Sequence, residues 1–173
     1  GSVLKTNTIV TDLGSVKHPI MKMAKKNLPN QAIFIGGHPM TGSERAGFLG
    51  ANPFLYENAY YFLTPSKETP ASAVGVMEKL IEDLGAYPIL LSPEKHDLIV
   101  SRISHLPHII AMNLVNFIDA QDQGISHLPF VGGGFRDTTR IAAGEPQLWQ
   151  DILFANRTKT IKSIDAFQDL LEE

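Results

Sequence analysis

The chain has 173 residues, 43% hydrophobic and 19% charged, enough for one domain or two small ones around a real core. A net charge of −3 without a basic stripe argues against nucleic acid or an anionic membrane as partner. Cysteine is absent, which excludes disulfides, thiolate metal sites and a cysteine nucleophile and fits a cytoplasmic protein.

Gly1-Ser2 looks like a cloning scar, and Val3 to Thr8 is too polar-mixed for a signal peptide. "TIVTDLG" (Thr8–Gly14) reads as a buried strand ending in a turn. A helix follows, with Val16, Ile20, Met23 and Ala24 on one face and Lys17, Lys22, Lys25 and Lys26 around the rest, until Pro29 ends it. "AIFIGG" is the second strand and "NAYYFLTPS" (Asn58–Ser66) the third. Thr69 and Pro70 predict a helix start, and Ala73, Val76, Met77, Leu80, Ile81 and Leu84 its buried stripe, with Gly85 closing it. "AYPILL" (Ala86–Leu91) is a short fourth strand. Strand–helix alternation at this spacing predicts a parallel sheet in an α/β layer.

Near Ser92 the pattern changes. Ser92-Pro93-Glu94 starts a helix whose face (Leu98, Ile99, Arg102, Ile103, Leu106) runs to Pro107. Further helical stripes follow: Ile109 to Ile118, Val131 to Ala142, Leu148 to Ile152 behind Pro146, and Ile161 to Leu171. The chain therefore reads as α/β plus all-α, with domains over 1–91 and 92–173. No run is apolar for long enough to span a bilayer. The helices still carry more apolar surface than so small a domain hides, which predicts a symmetric dimer.

Ligands of open α/β sheets bind beyond the carboxyl ends of strands, and both Gly14-Ser15 and Gly37-His38 fall there. The glycines before His38 allow close backbone approach to a ligand, and Pro39 restricts the local geometry. An imidazole so placed makes a good general base; the alternative is a turn histidine bonded to backbone. Ser15 fits a helix cap, a role compatible with function. Six histidines raise the question of a metal, but there is no H-E-x-x-H, and Pro107 interrupts the close pair in "HLPH". A helix broken at Pro107 can aim His108 into a cleft, while His96, His105 and His108 taken singly also fit partly buried, satisfied residues. In "GGGFRDTTR" three glycines weaken a helix head, for which close packing of a backbone or ligand is the usual reason. Arg136 and Arg140 share a helical face, where an arginine can grip a carboxylate bidentately or join a surface ion-pair lattice. Trp149, the single tryptophan, is either core or pocket wall.

Together, "VTDLGSVK", "FIGGHPMTGSERAG", "LYENAYYFLTP", "SPEKHD", "SHLPH", "GGGFRDTTRIA" and "LWQDI" stand in one order over nearly the whole chain, and they resemble the prephenate/arogenate dehydrogenases of tyrosine biosynthesis. The resemblance implies the C-terminal part of a Rossmann-type parallel sheet followed by a helical dimerisation domain. It also implies oxidative decarboxylation of prephenate to 4-hydroxyphenylpyruvate with NAD, NADP not being excluded. By resemblance His38 is the base or polariser on the ring hydroxyl, and Ser15 stands beside it and the nicotinamide. Asp12 and Gly14 form the turn next to the cofactor. Arg140 binds a substrate carboxylate, Ser43 and Glu44 sit at the pocket mouth, His96 and His108 line the pocket, and Gly133 and Trp149 form its wall, partly across a homodimer. His108 matches the prephenate-preferring pattern, with arogenate as the alternative substrate.

One feature departs from the family: no strand–G-x-G-x-x-G–helix is present. At least one βαβ unit of about 30 residues is therefore expected to be missing. The 173-residue chain by itself should bind NAD weakly and turn over little, and a sheet edge should be exposed. A non-catalytic helical dimerisation module and another hydroxyacid dehydrogenase of similar layout are the competing readings.

Overall fold

The computed structural model describes residues 3–42, 51–121 and 126–173. The chain forms two compact units, Gly1–Asp97 and Leu98–Glu173.

The first unit is a four-stranded sheet with helices. Strands β1 (Ile9–Thr11), β2 (Ile33–Pro39), β3 (Tyr60–Thr64) and β4 (Tyr87–Leu90) lie in that spatial order. Helix α1 (His18–Asn27) crosses from β1 to β2, and α2 (Ala71–Asp83) from β3 to β4. Both crossovers join parallel neighbours, as alternation predicts. The join between them differs: β2 and β3 are antiparallel, so the sheet is mixed. The first half of β2 pairs with β1 (Ile9↔Ile33), and its second half with β3 (Gly37↔Leu63, His38↔Phe62). His38 and Pro39 thus belong to the strand and do not follow its end, because β3 offers their backbone a partner.

Ile35, Tyr61, Leu63, Ala73, Met77, Ile81 and Ala86 form the core of this unit. The stripe expected on α2 splits in two. Ala73, Met77 and Ile81 are buried, while Val76, Leu80 and Leu84 face out. Thr69 does not cap α2; its hydroxyl accepts the Ser66 N–H at 2.9 Å, and Pro70 stands at the cap. Gly85 does close the helix, at φ +81°, where L side chains are strained. On α1, Val16 is buried just ahead of the helix, but Met23 is exposed. Met23, Ile20, Ala24 and Leu28 line an apolar groove with Val10 and Phe34.

From Pro93 the chain is helical: α3 (Pro93–Val100), a π turn (Ser101–His105), then α4 (Leu106–Ala120). Pro107 does not break this run. A proline in a helix lacks an N–H and crowds the carbonyl four residues back. The wider turn relieves that crowding: the Leu106 N–H reaches five residues back to the Ser101 carbonyl. By length and composition the resulting 28-residue helix, mean hydropathy 1.3 in its most apolar window, could cross a membrane, contrary to the sequence expectation. It carries buried His96, Asp97, Ser101, His105 and His108, polar side chains that are rare in a lipid-facing span.

The second unit continues with α5 (Gly133–Thr139), a 3₁₀ turn (Arg140–Ala143), α6 (Pro146–Ala155) and α7 (Arg157–Glu172). Its interior is polar. The Ser101 and Ser163 hydroxyls lie 2.9 Å apart, and Asn156 Nδ2 donates to His105 Nδ1 at 3.3 Å. Among its described residues only Val100 and Ala111 are buried apolar side chains, whereas Phe117, Phe130, Leu148 and Phe154 are exposed.

Candidate functional site

In the first unit the site is built on the turn after β1. Asp12 Oδ2 accepts the Gly14 N–H (2.9 Å) and Lys17 Nζ (2.5 Å), while Oδ1 accepts the Gly37 N–H (3.1 Å). Lys17 Nζ also donates to the Gly37 carbonyl. The Lys17 side chain is fully buried, so it does not belong with the solvent-facing lysines of α1. Burial pushes its pKa below the ordinary lysine value, against the pull of the Asp12 carboxylate. The glycine pair in β2 serves the same packing. A Cβ on Gly37 would stand 2.6 Å from the Asp12 carbonyl, and one on Gly36 2.4 Å from Thr64 Oγ1. The close approach that these glycines permit is to the chain's own strands.

His38 is half-buried, opposite Phe62 on β3. Its Nδ1 lies 2.8 Å from His96 Nε2. His96 is fully buried, and its Nδ1 lies 2.8 Å from Asp97 Oδ1. The Phe62 ring meets His96 edge-on, with centroids 5.3 Å apart. The Asp97 carboxylate in turn accepts the Lys17 N–H (2.7 Å) and the His18 N–H (2.9 Å) at the head of α1. An acid from 80 residues away thus caps this helix. Ser15 does not; the helix begins at His18, later than the sequence implies, and no side chain of its own cap residue, Lys17, bonds to it. Burial alone would raise the Asp97 pKa, but the bonds from His96, Lys17 and His18 outweigh it and hold the carboxyl below its usual range.

The second unit gathers another group. His108 is buried and stacks on Trp149, with ring centroids 3.5 Å apart and planes 8° from parallel. His105 meets the same indole edge-on at 6.4 Å. Gly144 makes room for it: a Cβ there would lie 2.4 Å from Trp149 Nε1. Burial lowers the His108 pKa, although a hydrogen bond with the backbone of Ile141 works the other way. His108 Nδ1 is buried without a hydrogen-bond partner among the described residues. Arg140, next to Ile141, is exposed at the start of the 3₁₀ turn and does not continue α5. A Cβ on Gly132, Gly133 or Gly134 would meet nothing within 4 Å among the described residues, so these do not supply the close packing expected at the triplet.

The expected site residues therefore fall into two groups, Asp12, Gly14, Ser15, His38 and His96 in one unit and His108, Gly133, Arg140 and Trp149 in the other. Ser43 and Glu44 lie outside the described residues. The sequence reading missed Lys17, Asp97 and Gly144. The "HD" of "SPEKHD" was the available signal for Asp97, since an acid beside a histidine near a helix start can serve both.

Residues 1–90 match the family model described as prephenate dehydrogenase, nucleotide-binding domain, and residues 92–173 the one described as prephenate dehydrogenase, dimerization domain. The chain belongs to the prephenate dehydrogenase family. It is 40% identical over 165 residues to the prephenate dehydrogenase of Bacillus subtilis (95% of this chain, 44% of that protein). It is 37% identical over 167 residues to the cyclohexadienyl dehydrogenase of Zymomonas mobilis (95% and 56%). Among solved structures, prephenate dehydrogenase from A. aeolicus in complex with hydroxyphenyl propionate and NAD+ matches at TM-score 0.91 and 34% identity, covering 99% of this chain and 59% of that one. Synechocystis arogenate dehydrogenase matches at 0.82 and 33%, covering 95% and 59%. The chain spans about half the length of the curated relatives it matches. The α/β plus all-α class and the family resemblance both stand.

For a dinucleotide, the residues present fit one end. The Asp12–Ser15 turn, held by Lys17 and Gly37, sits at the carboxyl end of β1 with the half-buried Ser15 in it. A pyrophosphate cradle is not among them, since G-x-G-x-x-G does not occur and the glycines of the site pack on the chain's own atoms.

Proposed function

We propose that this chain carries the catalytic residues of a cytoplasmic, homodimeric prephenate dehydrogenase, with 1–91 the nucleotide-binding part and 92–173 the substrate-binding and dimerisation part. The observation that carries the reading is His38: an imidazole fixed in a strand and backed by a second buried histidine, in a chain matched end to end by the family.

Bound NAD would supply a hydride acceptor for the ring carbon that bears the hydroxyl, and loss of the ring carboxylate as CO2 would restore aromaticity. His38 takes the hydroxyl proton on its ring nitrogen as the C–O bond gains double-bond character, and returns it to the phenolate oxygen once CO2 has left. Ser15 borders that hydroxyl and the cofactor. Arg140 grips a substrate carboxylate, and the His108–Trp149 stack forms apolar wall with one buried nitrogen available to a polar group of the ligand. Gly133 belongs to the same wall, its missing side chain leaving room for substrate or partner subunit.

The test is the full-length protein with prephenate and NAD, followed by the absorbance of reduced nicotinamide. His38→Asn should lower kcat by about 10²–10⁴ with dimerisation intact. Arogenate and NADP in place of prephenate and NAD measure the two preferences. A full-length protein that dimerises and binds NAD yet oxidises no cyclohexadienyl substrate sinks the reading in favour of a non-catalytic module.

A further inference from the structure

We propose that Asp97 is a positioning residue: acting through His96, it fixes His38 in the tautomer that carries its proton on Nδ1 and its lone pair on Nε2. The proposal rests on the reading of His38 as the base.

The logic is one of donors and acceptors. Ionised Asp97 can only accept, and two backbone N–H groups, from Lys17 and His18, already point at it. The His96 nitrogen facing it, Nδ1, must therefore hold a proton. Neutral His96 then has only a lone pair on Nε2, so the 2.8 Å contact to His38 requires His38 Nδ1 to be the donor. The lone pair of His38 is left on Nε2, the nitrogen that can face a substrate. Both ring nitrogens of His96 are taken by protein, and the ring is fully buried. This gives His96 a role behind His38 in place of the pocket-lining role that the resemblance implies. When His38 takes a proton on Nε2, the positive charge is met across His96 by the Asp97 carboxylate, and no proton moves onto Asp97.

Other described groups stand close to this series. Phe62 covers His96 from β3. Among the described residues, the charged groups nearby include Lys17, whose ammonium is tied to Asp12, and the exposed His18–Glu94 pair at 3.1 Å. Neither provides His96 with another acceptor. A cap alone would also explain Asp97's bonds to α1, but a cap has no need of a histidine on the same oxygen that the Lys17 N–H uses.

Two measurements decide it. In full-length protein labelled with 15N-histidine, at a pH where both rings are neutral, His38 and His96 should both show the Nδ1–H tautomer, the minority form of free imidazole side chains. Nε2–H on either ring overturns the proposal and leaves the function standing. Asp97→Asn keeps an oxygen for Lys17 and His96 but removes the charge. It should lower kcat about 10- to 100-fold, with KM for prephenate within about threefold. It should also move the acid limb of kcat/KM to lower pH, because the His38 imidazolium loses its counter-charge. An unmoved acid limb overturns the proposal, since a purely structural loss would only scale the profile down. Should Asp97→Asn fail to fold, the wild-type spectrum still decides. Correct tautomers in a protein that never oxidises prephenate would instead sink the proposed function.

Discussion

Trp149 reports on His108. The two rings are stacked, and the indole is the single tryptophan of the chain. Burial disfavours the charged imidazole, so the His108 pKa lies below its ordinary value of about 6.5. Protonation places a quenching imidazolium against the indole. Tryptophan emission should therefore fall as pH drops, with a midpoint below about 6.5, and the transition should vanish in His108→Gln. Gly144→Ala pushes a methyl into Trp149, so it should loosen the stack and move the midpoint up towards the ordinary value. A midpoint above 6.5 in the parent protein would contradict the burial argument. The sign for stability follows. The unfolded chain takes up this proton at higher pH than the folded one, so stability is lost as pH falls from about 6.5 towards the lower folded value.

At the scale of elements, two buried charges fasten α1 to the sheet. Lys17 bridges Asp12 and the Gly37 carbonyl, and Asp97 caps the helix from outside its own sequence neighbourhood. Removing one partner of a fully buried pair costs about 3–5 kcal/mol. Asp12 is one-fifth exposed and keeps two backbone donors, so Lys17→Met should cost less, about 2–3 kcal/mol in urea unfolding. A loss below about 0.5 kcal/mol would mean that Lys17 is only a packed stem. The π turn before Pro107 is the other element-scale device. It lets one helix continue through a proline while Ser101, His105 and His108 stay buried.

On the scale of the whole molecule, the helical unit is built inside out. Its buried side chains are mostly polar, and phenylalanines and leucines face outward, Phe154 at 77% exposure. Such a surface fits the proposed homodimer interface and the match to the family's dimerization domain. Phe154→Glu should shift the protein from dimer to monomer in light scattering at micromolar concentration. A dimer that is unchanged in mass and dilution behaviour would place the interface on another face. In the first unit, the apolar groove beside α1 and the outward stripe of α2 likewise offer surface for burial.

The order of strands and helices and the change of character near Ser92 were legible from periodicity and turn chemistry, because burial on one face imposes a period on the order of residues. The ordered motifs were enough to place the chain in its family. Other features were settled only by tertiary structure. An antiparallel neighbour carried β2 past its glycine pair to His38, and a distant carboxylate took over the cap expected of Ser15. A lysine that reads as solvent-facing turned inward to a carboxylate and a strand carbonyl. Apart from the Lys17–Asp12 contact, these are pairings between residues 20 to 80 positions apart, and a local pattern has no term for a partner that arrives only when the chain has folded.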